Sequence, residues 1–155
     1  MVSVLVATYN HEKYIRETLD GILNQKTNFK YDVIVHDDAS TDHTAEIVKE
    51  YEKKYPDIIR GIYQQTNQFY NCNISAKYLY PQIKGKYFAV LDGDDYWIDE
   101  NKLQMQQRRL ITQTSHTRKQ IVPRLFLMWH GFQYDFWLLR RMHPEGCDLE
   151  IAADQ

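Results

Sequence analysis

Apolar and polar positions fall in blocks along this chain: short, nearly continuous apolar runs alternate with stretches whose apolar residues recur at helical spacing. Val2-Ser3-Val4-Leu5-Val6-Ala7 is rich in β-branched residues and reads as a strand, closed by the polar turn Thr8-Tyr9-Asn10. From about Glu12 the spacing becomes helical. Ile15, Leu19, Ile22 and Leu23 stand at i, i+4, i+7 and i+8, and the pattern fades near Gln25. Tyr31 to His36 predicts a second strand centred on Val33-Ile34-Val35, running into Asp37-Asp38-Ala39-Ser40-Thr41-Asp42. Asp42 can cap a second helix, which carries Ala45, Val48, Tyr51 and Tyr55 on one face and stops at Pro56. Ile58 to Tyr63 predicts a third strand. Asn73 to about Tyr80 predicts a helix that Pro81 ends or kinks. Tyr87 to Leu91 is a short uninterrupted apolar run, the mark of a strand buried on both faces.

Strand and helix alternate four times, which predicts an α/β fold with a mainly parallel sheet. In such sheets ligands bind beyond the carboxyl ends of the strands, where the strand order switches. That rule gathers three polar clusters, distant in sequence, into one crevice. They are Thr8-Tyr9-Asn10, the acidic pair Asp37-Asp38, and Asp92-Gly93-Asp94-Asp95 after the fourth strand.

The last cluster suggests the chemistry. Asp92 and Asp94 are two apart and project to the same side of an extended chain, with Asp95 adjacent. Like charges so placed repel unless a cation or proton sits between them. Hard carboxylate oxygens suit Mg²⁺ or Mn²⁺. Gly93 lets the chain turn or a ligand come close. A calcium loop fits poorly, because Trp97 and Leu103 stand where an EF-hand starting at Asp92 needs Gly and Glu. No Gly-rich phosphate loop or Walker sequence is present, which disfavours a Rossmann dehydrogenase and a P-loop nucleotidase.

Composition adds limits. At 155 residues the prior is one domain, able to bury about 70% of the surface of its unfolded chain. A net charge of −2 gives no case for nucleic acid as a partner. Cys72 and Cys147 match no metal or redox spacing and read as buried thiols in a reducing compartment. Val2 to Ala7 is too short for a signal peptide, and no apolar run is long enough to span a bilayer, so the expectation is a cytoplasmic protein. Near Gln107 the basic residues change from mostly Lys to mostly Arg and clear periodicity is lost. Residues 1–107 are therefore expected to form the ligand-binding domain, and 108–155 an atypical tail from a truncated or frameshifted coding end. Within it, Leu125 to Leu139 predicts a packed helix. The alternative is an interfacial helix flanked by Arg124 and Arg140-Arg141, which would hold the chain peripherally at the inner face of a membrane.

Three blocks carry a resemblance. Val2 to Asn10, Asp37 to Asp42, and Gly85 to Trp97 are similar in order and spacing to family 2 glycosyltransferases, over roughly residues 2 to 107. The resemblance implies a GT-A fold and metal-dependent, inverting transfer of a sugar from a nucleotide-diphosphate donor, uridine being the favoured nucleoside. The acceptor would be a glycan or a lipid-linked hydroxyl, in the synthesis of cell-surface polysaccharide. It assigns the metal to Asp92 and Asp94, with Asp95 as the alternative, and the base or ribose of the donor to Asp38. Ala7 and Tyr9 would line the base pocket, Asp92 would also meet the donor, and Lys77 would stand near the diphosphate. The family's base belongs to the acceptor half, and no catalytic base is identifiable in this chain. Asp135, Asp148 and Asp154 are merely carboxylates in the tail. Two other readings remain. One is a donor-binding remnant without transfer activity. The other is a haloacid-dehalogenase-type phosphatase using Asp92 and Asp94, against which Tyr96 stands where that motif has Thr or Val.

Overall fold

The computed structural model describes residues 1–70 and 74–116, with side-chain surroundings as far as residue 109. Cys72, Cys147, the Leu125–Leu139 segment and the tail carboxylates lie outside the described residues. Four strands, β1 (Val2–Thr8), β2 (Tyr31–Asp37), β3 (Ile59–Tyr63) and β4 (Tyr87–Asp92), form one sheet in the order β3-β2-β1-β4. All three pairings are parallel. The chain steps outward from β1 to β2 to β3, then returns to the other side of β1 for β4. That return is the switch in strand order, and it falls beside β1.

Alternation along each strand divides the core between the two faces. Val4, Val6, Val33, Val35, Ala89 and Leu91 pack with Ile15, Leu19 and Ile22 of helix α1 (Ile15–Leu23) and Ile47, Val48 and Tyr51 of helix α2 (Thr44–Lys54). Leu5, Ile34 and Phe88 face the other way, against Leu79. Each of these strand side chains is almost fully removed from water, at roughly 25 cal/mol for every Å² of apolar surface buried. Ile47 completes the α2 face in place of the predicted Ala45, which is half-buried.

Two predicted boundaries change. Helix α1 begins at Ile15, after the Glu12–Tyr14 turn. The segment before Pro81 is a five-residue π-helical stretch, Ser75–Leu79, followed by a 3₁₀ turn, Tyr80–Gln82. Pro81 therefore sits in the first turn of a tighter coil, where its missing N–H costs no hydrogen bond. Beyond β4, Gln25 fastens the chain to α1. Its amide nitrogen donates to the Asp99 carbonyl at 2.7 Å, and its Oε1 accepts the Leu103 N–H at 2.9 Å. Leu103 lies in the first turn of helix α3 (Lys102–His116), which runs through residue 107. Gly21 leaves room there, since a Cβ on it would stand 2.9 Å from the Trp97 carbonyl oxygen.

Candidate donor-binding crevice

The ends of β1, β2 and β4 open onto one crevice of about 840 Å³. Its wall includes Ala7, Tyr9, Asp38, Asp92 and Asp94, five of the residues singled out from the sequence. Register explains the meeting: Ala7 pairs with His36 on one side and with Asp92 on the other. At about 4.8 Å between neighbouring strands, the β2 and β4 ends stand about 10 Å apart, with the small Ala7 between them. Two predicted residues are not part of the wall. Lys77 is exposed on the π-helical stretch, with its ammonium 5.0 Å from the Tyr78 ring centre. Asp95 is half-buried, and its N–H donates to the Asp92 carbonyl, closing the turn.

The crevice has an acidic end. Asp92 and Asp94 are both exposed there. Surrounding protein raises the Asp92 carboxyl above its ordinary range; Asp94 and then Asp95 add like charge, and His11 opposes them. Asp92 is open by surface area yet set among protein groups, so this shift is modest in free energy. Gly93 stands in the turn, as predicted, and packing against β1 gives a further reason for a glycine there. A Cβ there would stand 2.6 Å from Thr8 Oγ1 and 2.9 Å from His11 Nδ1. Its N–H donates to the Ala7 carbonyl, and its carbonyl accepts from Thr18 Oγ1. The glycine thus presses the acidic turn onto the β1 end. Among the described residues, no three His, Cys, Asp or Glu side chains are arranged to hold a metal ion. A cation at Asp92 and Asp94 would need oxygen from a ligand and from water. This fits Mg²⁺ well, since it keeps waters and binds through one or two carboxylates plus phosphate.

The other end is polar and closed. Asp38 is 2% exposed. Its Oδ1 accepts the Gln68 N–H at 2.9 Å, while Oδ2 is buried with no partner. The predicted acidic pair is split: Asp37 turns away from the crevice and accepts from the Ser40 hydroxyl and N–H. His36, not singled out from the sequence, lines the crevice in its place. The sequence signal was present, because His36 and Asp38 are two apart and a polar residue ends an otherwise apolar run. Burial holds the His36 imidazole below its ordinary range, against the pull of Asp38 and Asp37.

The loops behind the crevice are laced together. Asn10 Oδ1 accepts the Thr41 N–H at 2.8 Å, and Ser40 Oγ accepts the Asn10 N–H at 2.9 Å. Asp42 accepts the N–H groups of Thr44, the first residue of α2, and of Glu12, so from one position before the N-cap His43 it ties the helix start to the other loop. Asn10 and Ala39 adopt φ of 56° and 62°, a left-handed conformation that is strained for Ala39 and persists because its surroundings fix it.

Known proteins resemble this chain in sequence and in fold. The family model described as glycosyl transferase family 2 matches residues 3–142. An uncharacterized protein of Mycobacterium tuberculosis is 44% identical over 109 residues, covering 70% of this chain and 31% of that protein. TuaG of Bacillus subtilis, named for glycosyl transfer in teichuronic acid biosynthesis, is 33% identical over 68% of this chain and 40% of its own length. The chain thus spans well under half the length of these relatives. Among solved structures, the Staphylococcus aureus protein TarS in complex with UDP superposes with a TM-score of 0.59 at 31% identity, over 73% of this chain and 32% of that one. The mannosyltransferase PcManGT of Pyrobaculum calidifontis, solved with GDP-Man and Mn²⁺, gives a TM-score of 0.57 at 27% identity, over 66% and 30%.

Proposed function

We propose, because this chain belongs to glycosyl transferase family 2, that its crevice holds the nucleotide-diphosphate sugar of an inverting, metal-dependent glycosyl transfer, with a uridine nucleotide as donor. One observation carries the reading. A buried carboxylate oxygen without a partner, on Asp38, and an exposed carboxylate pair, Asp92 and Asp94, stand at opposite ends of one crevice. The spacing suits a ligand with a hydrogen-bonding head and a diphosphate tail. Asp38 would accept a hydrogen from the base or ribose, and Ala7 and Tyr9 would flank it. Asp92 and Asp94 would hold the cation, with Asp95 supporting the turn. A divalent cation bound there supplies positive charge to a departing diphosphate. Neighbours solved with UDP and with GDP-Man and Mn²⁺ support the class of ligand.

The acceptor hydroxyl needs a base within about 2.6–3.2 Å. Among the described residues, the carboxylates of the crevice wall are Asp38, Asp92 and Asp94, and all three are engaged by the donor on this reading. We therefore propose that the 155-residue chain by itself binds donor but transfers sugar poorly, to a glycan or lipid-linked acceptor held elsewhere. The haloacid-dehalogenase-type phosphatase alternative has no support from the family match. Among the described residues no helix is long and apolar enough to cross a membrane, and peripheral attachment at the inner face of a membrane stays a proposal. Calorimetric titration with UDP, GDP and dTDP, each with and without Mn²⁺, tests the reading. UDP binding that strengthens with Mn²⁺ is expected, and a chain that binds none of the three would sink it.

A further inference from the structure

We propose that His36 reads the base of the donor: its Nδ1–H donates to the O4 carbonyl of a uracil ring whose N3–H donates to Asp38 Oδ2. The inference rests on the donor-site reading above.

The imidazole is fixed on two sides. Its ring stacks on Tyr78 at 5.1 Å between centres and 21° between planes. Its Nε2 lies 3.2 Å from the amide nitrogen of Gln64. An amide nitrogen only donates, so Nε2 is the acceptor and the proton of the neutral ring sits on Nδ1. That Nδ1 is buried with no partner, and His36 is 0% exposed although it lines the crevice. A buried donor without partner or water is costly and calls for one. Two residues on, Asp38 Oδ2 is buried and equally unpartnered. One fixed donor and one fixed acceptor therefore stand side by side at the end of β2.

Uracil presents a carbonyl next to an N–H on its O4/N3 edge, the complement of that pair. Cytosine in the same pose would set an amino group against the His36 N–H and a ring nitrogen lone pair against the Asp38 carboxylate. A site built to hydrogen-bond one pattern rejects the other, because its own buried groups are left unmet. The β2 end is also the end away from Asp92 and Asp94, so the base lies where the diphosphate does not. The Tyr78 ring sits in the π-helical stretch, a distortion frequent at functional sites.

The test is His36→Phe, which keeps a ring to stack on Tyr78 and removes both nitrogens. Calorimetry with Mg²⁺ should show UDP affinity falling about tenfold and the preference for UDP over CDP shrinking. UDP affinity within twofold of the parent, or equal losses for UDP and CDP, would overturn the role of His36 while leaving the donor site standing. A parent chain that binds no UDP would overturn both. Should the variant fail to fold, ¹⁵N spectra of the parent's histidines replace it. UDP should shift the His36 Nδ1–H signal where pyrophosphate with Mg²⁺ does not, and equal responses to the two would overturn the proposal.

Discussion

The two ends of the crevice are incomplete in different ways. At the β4 end Asp92 and Asp94 are exposed, mutually repulsive and held by a turn that Gly93 presses against Thr8 and His11. At the β2 end Asp38 and His36 are buried, oriented by Gln68, Gln64 and Tyr78, and each has one polar atom unmet. The first end is missing positive charge, with Thr8 Oγ1 and His11 Nδ1 also unmet behind its turn, and the second is missing hydrogen bonds alone. Charge can be supplied by any small hard cation at the surface, with little demand on shape. Unmet buried donors and acceptors require a ligand of matching pattern. Affinity that responds to a cation is thus expected from one end, and discrimination between bases from the other.

Removing one end at a time separates these contributions. The largest effect is expected from Asp94→Asn, which should abolish the Mn²⁺-dependent part of nucleotide binding. The fold should persist, and the melting temperature should hold or rise as repulsion with Asp92 is relieved. Unchanged Mn²⁺-dependent affinity by calorimetry would count against the cation assignment. Next in size is Asp38→Ala. A hydrogen bond to a charged group is worth about 1.5–3 kcal/mol, and UDP binding should weaken by that much with or without Mn²⁺. The loss of the Gln68 anchor adds a stability cost that thermal melting can read separately. A UDP affinity equal to that of the parent would remove Asp38 from the site.

The smallest effect is a pH dependence of stability, and its sign differs at the two ends. Burial depresses His36, so the unfolded chain takes up a proton that the folded chain resists. Its contribution is present above the ordinary value of 6.5 and is lost as pH falls through and below it. Asp92 is raised, so its contribution is present below the ordinary value of 3.8 and is lost as pH rises through the folded value. The exposed His43, raised by its hydrogen bond to Glu12 and by Glu46, favours the fold on acidification and partly masks His36. Comparing melting curves of the parent and His36→Phe from pH 7.5 to 5.5 isolates the first contribution. The parent should lose more stability on acidification than the variant, and parallel curves would refute it.

Much of this was legible along the chain. Strand and helix periods are local, so Val2–Ala7, Tyr31–His36 and Tyr87–Leu91 could be recognised without their neighbours, and the strand–helix alternation implied the parallel sheet. The acidic turn could be found because three carboxylates follow an apolar run. The rule that ligands meet strand ends then brought together Ala7, Tyr9, Asp38, Asp92 and Asp94, which do share the crevice. What the sequence could not decide was direction and partner at those ends. Asp37 and Asp38 look alike in sequence, yet one is taken up by Ser40 and the other faces the crevice. The lacing of Asn10 to Thr41 spans 31 residues, and the contact between Gly93 and Thr8 depends on β4 returning beside β1. Local pattern determines which residues form an element, because backbone sterics and burial act between near neighbours. Which polar atoms are satisfied and which are left for a ligand is decided only when distant segments pack, because a hydrogen bond depends on positions that no single stretch of chain controls.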